Sequence, residues 1–283
     1  MATLTLHIRP MTRADVDAAV ELALAQGWRN RQAFYELALR TPACQPLVGV
    51  VAGAVVATGL ATVNGPVGWL GGVIVDATQR GRGYGRAMTE ELCRRLRDAG
   101  CATLSLVATD AGRPLYERLG FRVATHYHEM DGDHLERMPD PPAGAKLRPL
   151  EPDDLLRVFE LDRLATAEDR HAILGQLAAA GGWVLEGEGD AGLRGFLLPS
   201  DRAFAAIVAP GFEDGLCLLD LHRHLTPPEI RARAGIPDAH SAAWHELTAR
   251  GWHDHWLAPR MLLGPDVAWR PEWIWGLVNS AVG

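Results

Sequence analysis

Leu70-Gly71-Gly72-Val73-Ile74-Val75, followed after three residues by Gln79-Arg80-Gly81-Arg82-Gly83-Tyr84-Gly85-Arg86, decides how the first half of the chain is read. The first run is apolar on both faces, which predicts a central strand. The second is rich in glycine and arginine, and residues 84–99 beyond it place Met88, Leu92, Leu96 and Ala99 on one helical stripe, with Gly100 as stop signal. Strand, glycine loop and helix in that order favour a ligand that carries phosphate. Glycines let a backbone approach closely, the first N–H groups of a helix point outward, and the helix dipole favours an anion there. Arg80, Arg82 and Arg86 add charge-assisted donors. A Gly-rich turn carrying solvated arginines is the plainer alternative. The loop does not end in Gly-Lys-Ser/Thr. It is also not a G-x-G-x-x-G with an acid about 20 residues on, so spacing disfavours a nucleoside triphosphatase and a dehydrogenase.

Outward from this stretch, the patterning predicts a strand at 4–9, helices at 13–26 and 30–40, and strands at 46–52, 54–63 and 67–76. After the long helix come a strand at 103–108, a short helix through Tyr116 and a strand from Phe121. A Pro-rich stretch over 138–146 reads as a linker. Beyond it the chain echoes its start: Ile8-Arg9-Pro10-Met11-Thr12-Arg13-Ala14-Asp15-Val16 against Leu147-Arg148-Pro149-Leu150-Glu151-Pro152-Asp153-Asp154-Leu155. A second echo joins Leu115-Tyr116-Glu117-Arg118-Leu119-Gly120-Phe121 to the segment from Trp244 to Trp252. Two echoes in the same order predict a duplicated domain, with boundaries at 1–137 and 147–283.

Arg80-x-x-Gly83-x-Gly85 resembles the Q/R-x-x-G-x-G/A motif of the GNAT acetyltransferase superfamily, and Leu115–Phe121 is similar to that superfamily's second motif. The likeness covers roughly residues 4–130. The two-part layout also resembles bacterial GNAT proteins with a diverged GNAT-like C-terminal domain. The resemblance implies an α/β fold with two tandem domains, each a central, mostly antiparallel sheet flanked by helices. It also implies that the loop amides of Arg80, Gly81, Arg82, Gly83, Tyr84, Gly85 and Arg86 bind the pyrophosphate of acetyl-coenzyme A (acetyl-CoA), the acyl-donor substrate. The backbone of Val73, Ile74 and Val75 would pair with the pantetheine arm, and an amide near Val75 would polarise the thioester carbonyl. Tyr116 matches the position of a tyrosine that protonates the departing thiolate; a packing aromatic is the plainer reading. Two departures stand out. Asp110 occupies a place where relatives often have asparagine, and Gly71 and Gly72 stand where some place a Glu or His base, so no general base is named.

A net charge of −7 argues against a general nucleic-acid binder, which needs a broad basic face. The patch from Arg80 to Arg97 is local. No run approaches a membrane span, and Met1–Leu6 lacks the start of a secretory signal, so the expected location is cytoplasmic. Cys44, Cys93, Cys101 and Cys217 form no C-x-x-C pair. Three His-x-His pairs (His126/His128, His222/His224 and His253/His255) would share a strand face, yet no carboxylate motif at ligand spacing accompanies them, and no metal is expected. His126 and His128, followed by Glu129, are candidates to face an acceptor. Six tryptophans after residue 240 are read as packing. In the second half, Ala205–Ala209 leads into Pro210-Gly211-Phe212-Glu213-Asp214-Gly215, with acids where the first loop has arginines, so phosphate binding is not expected there.

The expectation is an acetyl-CoA-dependent N-acetyltransferase acting on an amine, with a small molecule favoured over a protein, by direct attack in a ternary complex. The competing readings are a non-catalytic coenzyme A sensor or interaction module, and transfer of a longer acyl group. Neither nucleic acid nor membrane is an expected partner, and a homodimer is compatible with the sequence.

Overall fold

The computed structural model describes residues 5–28, 31–187, 189 and 192–283. The expected strand and helix that begin at residues 4 and 30 therefore start outside the described residues. The first half runs β1 (His7–Pro10), α1 (Val16–Leu24), α2 (Gln32–Arg40), β2 (Cys44–Val51), β3 (Ala54–Asn64), β4 (Val67–Val75), α3 (Tyr84–Asp98), β5 (Thr103–Val107), α4 (Arg113–Arg118) and β6 (Arg122–Gly132). The second runs β7 (Ala145–Pro149), α5 (Leu155–Thr166), α6 (His171–Ala178), β8 (Trp183–Gly187), β9 (Leu193–Pro199), β10 (Ala205–Val208), α7 (Phe212–Leu225), β11 (Ala232–Pro237), α8 (Ser241–Ala249) and β12 (His253–Leu263). A short strand, β13 (Ile274–Gly276), follows. None of these helices is long and apolar enough to cross a membrane, among the described residues.

The repeated Arg-Pro-…-Asp signature has one physical cause in both halves. Asp15 takes the Arg9 guanidinium on both oxygens at 2.7 Å and accepts the Thr12 N–H at 2.8 Å. Asp154 does the same with Arg148 (2.7 and 2.9 Å) and the Glu151 N–H (2.9 Å). Each carboxylate thereby caps the 3-10 turn that enters the first helix of its half. The paired arginine holds each well below the usual carboxylate range.

By packing, the chain divides into two compact units at a place other than the Pro-rich stretch. Unit 1 comprises residues up to Arg122 with Leu262–Pro265 and Val282; unit 2 comprises Val123–Met261 with Asp266–Ala281 and Gly283. The last strand of the first series is thus counted with unit 2, and the tail of β12 with unit 1, where Thr103 Oγ1 donates to the Pro265 carbonyl at 2.8 Å. In unit 1 the strands lie in the order β1-β2-β3-β4-β5, antiparallel except for the parallel pair β4–β5. In unit 2 a five-stranded sheet has the order β13-β10-β9-β8-β7, and β6 lies between β12 and β11.

Helix α3 covers the unit 1 sheet through Met88, Leu92 and Leu96, all with no exposed surface. Burying each such side chain stabilises by about 1.5–3 kcal/mol. The helix comes so close that a Cβ on Gly59 would lie 2.9 Å from Met88 and Leu92, and one on Gly68 2.8 Å from Leu96. The expected stripe is one residue shorter than read: Ala99 is the C-cap, beyond the last turn of the helix, and is exposed.

Candidate active site

The site is assembled in unit 1 around the end of β4. Strand β3 pairs Thr58 with Ile74 and Leu60 with Gly71, so Gly59 faces both Gly72 and Val73: β4 carries a bulge. Gly72 adopts φ +59°, a backbone conformation that glycine accommodates without strain. The bulge is held from the neighbouring strand, where the Thr58 hydroxyl donates to the Gly72 carbonyl at 2.8 Å in a buried environment. Thr58→Val would leave that buried carbonyl without its partner. It is expected to lower unfolding free energy by about 1–3 kcal/mol in a urea titration, and Thr58→Ser should restore it.

Beyond the bulge, the Asp76 N–H donates to Val56 O at 2.9 Å, which fixes the phase of the ladder. By the alternation of antiparallel pairing, Ile74 turns its backbone groups toward β3, while Val73 and Val75 turn theirs to the opposite edge. On that edge β5 pairs with β4 through Val67, Gly68 and Trp69, and the pairing goes no further. The two strands therefore part beside Gly71–Val75. The Ile74 side chain is buried and packs with Leu22, Ala23 and Trp28.

The loop after β4 leads straight to the first turn of α3. Gly81 and Gly83 have φ of +76° and +82°, and a Cβ on either would meet nothing within 4 Å. These glycines serve backbone conformation, and the space beside them is open to a ligand. Gly83 is the N-cap of α3, with no side-chain cap bond. The first-turn N–H groups of a helix have no intrahelical acceptor, so an anion fits here. Gly85 is different: its φ is ordinary, and a Cβ there would sit 3.6 Å from both Leu115 and Val75. That contact shows that the end of β4, the start of α3 and helix α4 meet at one point.

The charged side chains of the loop are arranged unevenly. Arg80 turns back, its Nε donating to Val75 O at 3.3 Å and its terminal nitrogen meeting the Gln26 side-chain oxygen. Arg86 pairs with Glu90 at 2.8 Å on the exposed face of α3. Arg82 is exposed, whereas Tyr84 is a core residue packed with Val51 and Val56. Tyr84 can thus serve a ligand through its backbone alone.

Tyr116 lies on α4, 9% exposed and edge-on to Phe121 with ring centres 6.0 Å apart. Burial, with a smaller contribution from Cys93, pushes its hydroxyl up to about 12, so the proton is retained throughout the neutral range. Asp110 is exposed.

Several candidates fall outside this assembly. His126, His128 and Glu129 lie on β6, in unit 2. His128 lies tilted against Trp244, ring centres 5.0 Å apart, and has Asp254 at 2.5 Å from Nδ1 and Asp238 at 3.5 Å from Nε2. Glu129 is buried and accepts from Ser280 at 2.7 Å. His222 and His224 sit on helix α7, not on a strand, so their spacing turns them to different sides. They bond to the carbonyls of Ala203 (2.8 Å) and Leu135 (2.9 Å). No group of three or more His, Cys, Asp or Glu placed to hold a metal ion occurs among the described residues. The bulge was missed by sequence reasoning, and the Ile74 backbone, expected on the open edge with Val73 and Val75, turns toward β3; the Gly71-Gly72 pair in an otherwise apolar strand was the available signal.

Strand, left-handed glycine loop and helix N-terminus beside an open strand edge form a site that favours a phosphate-bearing ligand. Residues 11–121 match the Acetyltransferase (GNAT) family, so this segment is a GNAT domain. A stretch of 65 residues is 37% identical to the Glucosamine 6-phosphate N-acetyltransferase of Trypanosoma brucei brucei, covering 23% of this chain and 44% of that relative. The chain thus spans less than half the length of that curated relative. Among solved structures, a Pyrococcus horikoshii protein superposes over 100% of this chain and 99% of its own with TM-score 0.78 at 20% identity. A tandem GNAT protein from the clavulanic acid biosynthesis pathway covers 93% of this chain and 100% of its own, with TM-score 0.67 at 19% identity. A GCN5-related N-acetyltransferase from Sphaerobacter thermophilus gives 94%, 100%, 0.66 and 14%. At these identities the likeness is one of fold, and that fold is the tandem α/β arrangement expected from the two echoes.

Proposed function

We propose that this acetyltransferase moves an acetyl group from acetyl-CoA to the amine of a small molecule, by direct attack with both substrates bound. The observation that carries this reading is the convergence at Gly85 of the β4 edge, the glycine loop and α4. Acetyl-CoA supplies the activated acyl group. The N–H groups from Arg80 to Arg86 hold its pyrophosphate, with Arg82 and Arg86 adding charge. Val73 and Val75 pair with the pantetheine arm as an added strand would, and Ile74 anchors this edge through its side chain. The Val75 N–H donates to the thioester oxygen as charge develops there. As the amine nitrogen bonds to the acetyl carbon and the carbon–sulfur bond breaks, the Tyr116 hydroxyl donates to the sulfur; the proton lost by the amine passes to water, and Tyr116 regains a proton from water. The protein acts in the cytoplasm, and by ancestry its domains are 1–137 and 147–283, joined by 138–146.

A thiol of pKa about 8.5 leaves readily, so Tyr116 contributes at the low end of acid–base catalysis. Tyr116→Phe is expected to lower kcat about tenfold at pH 7.5 with the KM for acetyl-CoA within twofold. The assay follows free thiol release with a panel of small amines. Turnover at the wild-type rate in the variant would remove Tyr116 from the mechanism. Tight acetyl-CoA binding with no turnover on any amine would support a coenzyme A sensor instead.

A further inference from the structure

Element by element, β7 to β12 repeat β1 to β6, and β13 is an addition. In that repeat β10 takes the place of β4, α7 that of α3 and β11 that of β5. The correspondence reaches to detail: at their starts β10 and β11 are parallel neighbours, through Phe204 and Arg233, with Arg233 N–H donating to Ala203 O at 2.7 Å. In unit 1 the equivalent strands then part. In unit 2 the gap is filled by the chain itself.

Strand β13 pairs with β10, Gly276 opposite Ile207 and Ile274 opposite Val208, and the Ala209 N–H donates to Trp273 O at 3.0 Å. Trp275 has no exposed surface, and its indole N–H donates to Ala209 O at 3.1 Å. Its ring lies against the first turn of α7, where Gly215 has no side chain; a Cβ there would overlap the indole. On the other side, Leu277 packs against β11, 2.9 Å from the position a Cβ on Gly235 would take. Phe212, at the start of α7, closes over the indole with ring centres 5.4 Å apart. The anion-favouring end of this helix is also compromised, since Glu213 and Asp214 occupy its first turn.

We propose that residues Trp273–Leu277 are a built-in occupant of the unit 2 donor slot, a peptide in the place where unit 1 takes the pantetheine arm. The chain therefore binds one acyl-CoA, and unit 2 is a closed support that does not exchange its occupant. The inference rests on the reading of unit 1 given above for what the slot would hold, but its test is separate.

The experiment combines two measurements on the full chain. Equilibrium dialysis with labelled acetyl-CoA is expected to give one equivalent bound in the wild type and none in Gly83→Glu. Hydrogen exchange is expected to find the amides of residues 274–276 as slow as those of β10, with or without saturating acetyl-CoA. Two equivalents in the wild type, one remaining in Gly83→Glu, or acetyl-CoA-induced loss of protection at 274–276 would each overturn the proposal. No binding in the wild type, with 274–276 still protected, would refute the donor site in unit 1 and leave the filled slot of unit 2 supported.

Discussion

Gly83→Glu is expected to abolish the stabilisation of this protein by acetyl-CoA. At a hundredfold excess over its dissociation constant, a ligand that binds the folded state alone adds about 2.7 kcal/mol, a shift of several degrees in the unfolding midpoint. ATP and NADH, which carry phosphates without a pantetheine arm, should leave the midpoint unmoved. The substitution acts twice. Gly83 has φ +82°, where a side chain costs about 1–2 kcal/mol, so the variant starts with a lower midpoint. More decisively, glutamate places a carboxylate at the N-terminus of α3, where nothing else lies within 4 Å of the new Cβ and where the pyrophosphate would need the N–H groups. Comparing each protein with and without ligand separates the two effects. Gly85→Ala is the control: its backbone is not left-handed and its Cβ would make ordinary contacts at 3.6 Å, so the ligand shift should survive. A full shift in Gly83→Glu would move the donor site away from this loop.

Much of the strand, loop and helix of the candidate site was legible because it is local. A strand apolar on both faces, glycines at the two left-handed positions and an amphipathic helix are each specified within 30 residues. The Arg9–Asp15 and Arg148–Asp154 pairs were legible as an echo for the same reason, each being closed across six positions. What the sequence did not show is long-range. The Gly72 bulge depends on the register with Thr58, and the position of His128 depends on Asp254, 126 residues away. The Pro-rich stretch marks where the sequence repeats, whereas compactness follows pairing, which counts β6 with the second unit. His222 and His224 were read with strand spacing, although Leu218, Leu221 and Leu225 around them already have helical spacing. Strand β13 is three residues long inside a tryptophan-rich tail, too short for any period to declare itself.

Asp162→Ala is expected to destabilise unit 2 by about 3–5 kcal/mol, a large fraction of the stability of most domains. Asp162 and Arg170 are 1% and 4% exposed, and the guanidinium reaches both carboxylate oxygens at 2.5 and 3.0 Å. They close the turn between α5 and α6, next to Glu168, which lies 3.6 Å from Arg260, itself stacked on Trp269 at 4.3 Å. Removing one carboxylate leaves a fixed positive charge in a place that water does not reach, and a guanidinium cannot shed its proton to escape the cost. Replacing both partners by apolar residues of similar size, Asp162→Leu with Arg170→Met, should therefore recover most of the loss, because no uncompensated charge remains. Urea titrations of the two variants and the wild type decide the matter. A double variant as unstable as the single one would mean that the pair acts through hydrogen-bonded shape and not through charge. In unit 1, Arg31 just before α2 is half-exposed and lies over Trp28 and Phe34 at 4.7 and 5.0 Å. The unit 2 cation, by contrast, is buried against a carboxylate, which is why removing that carboxylate alone is expected to cost so much.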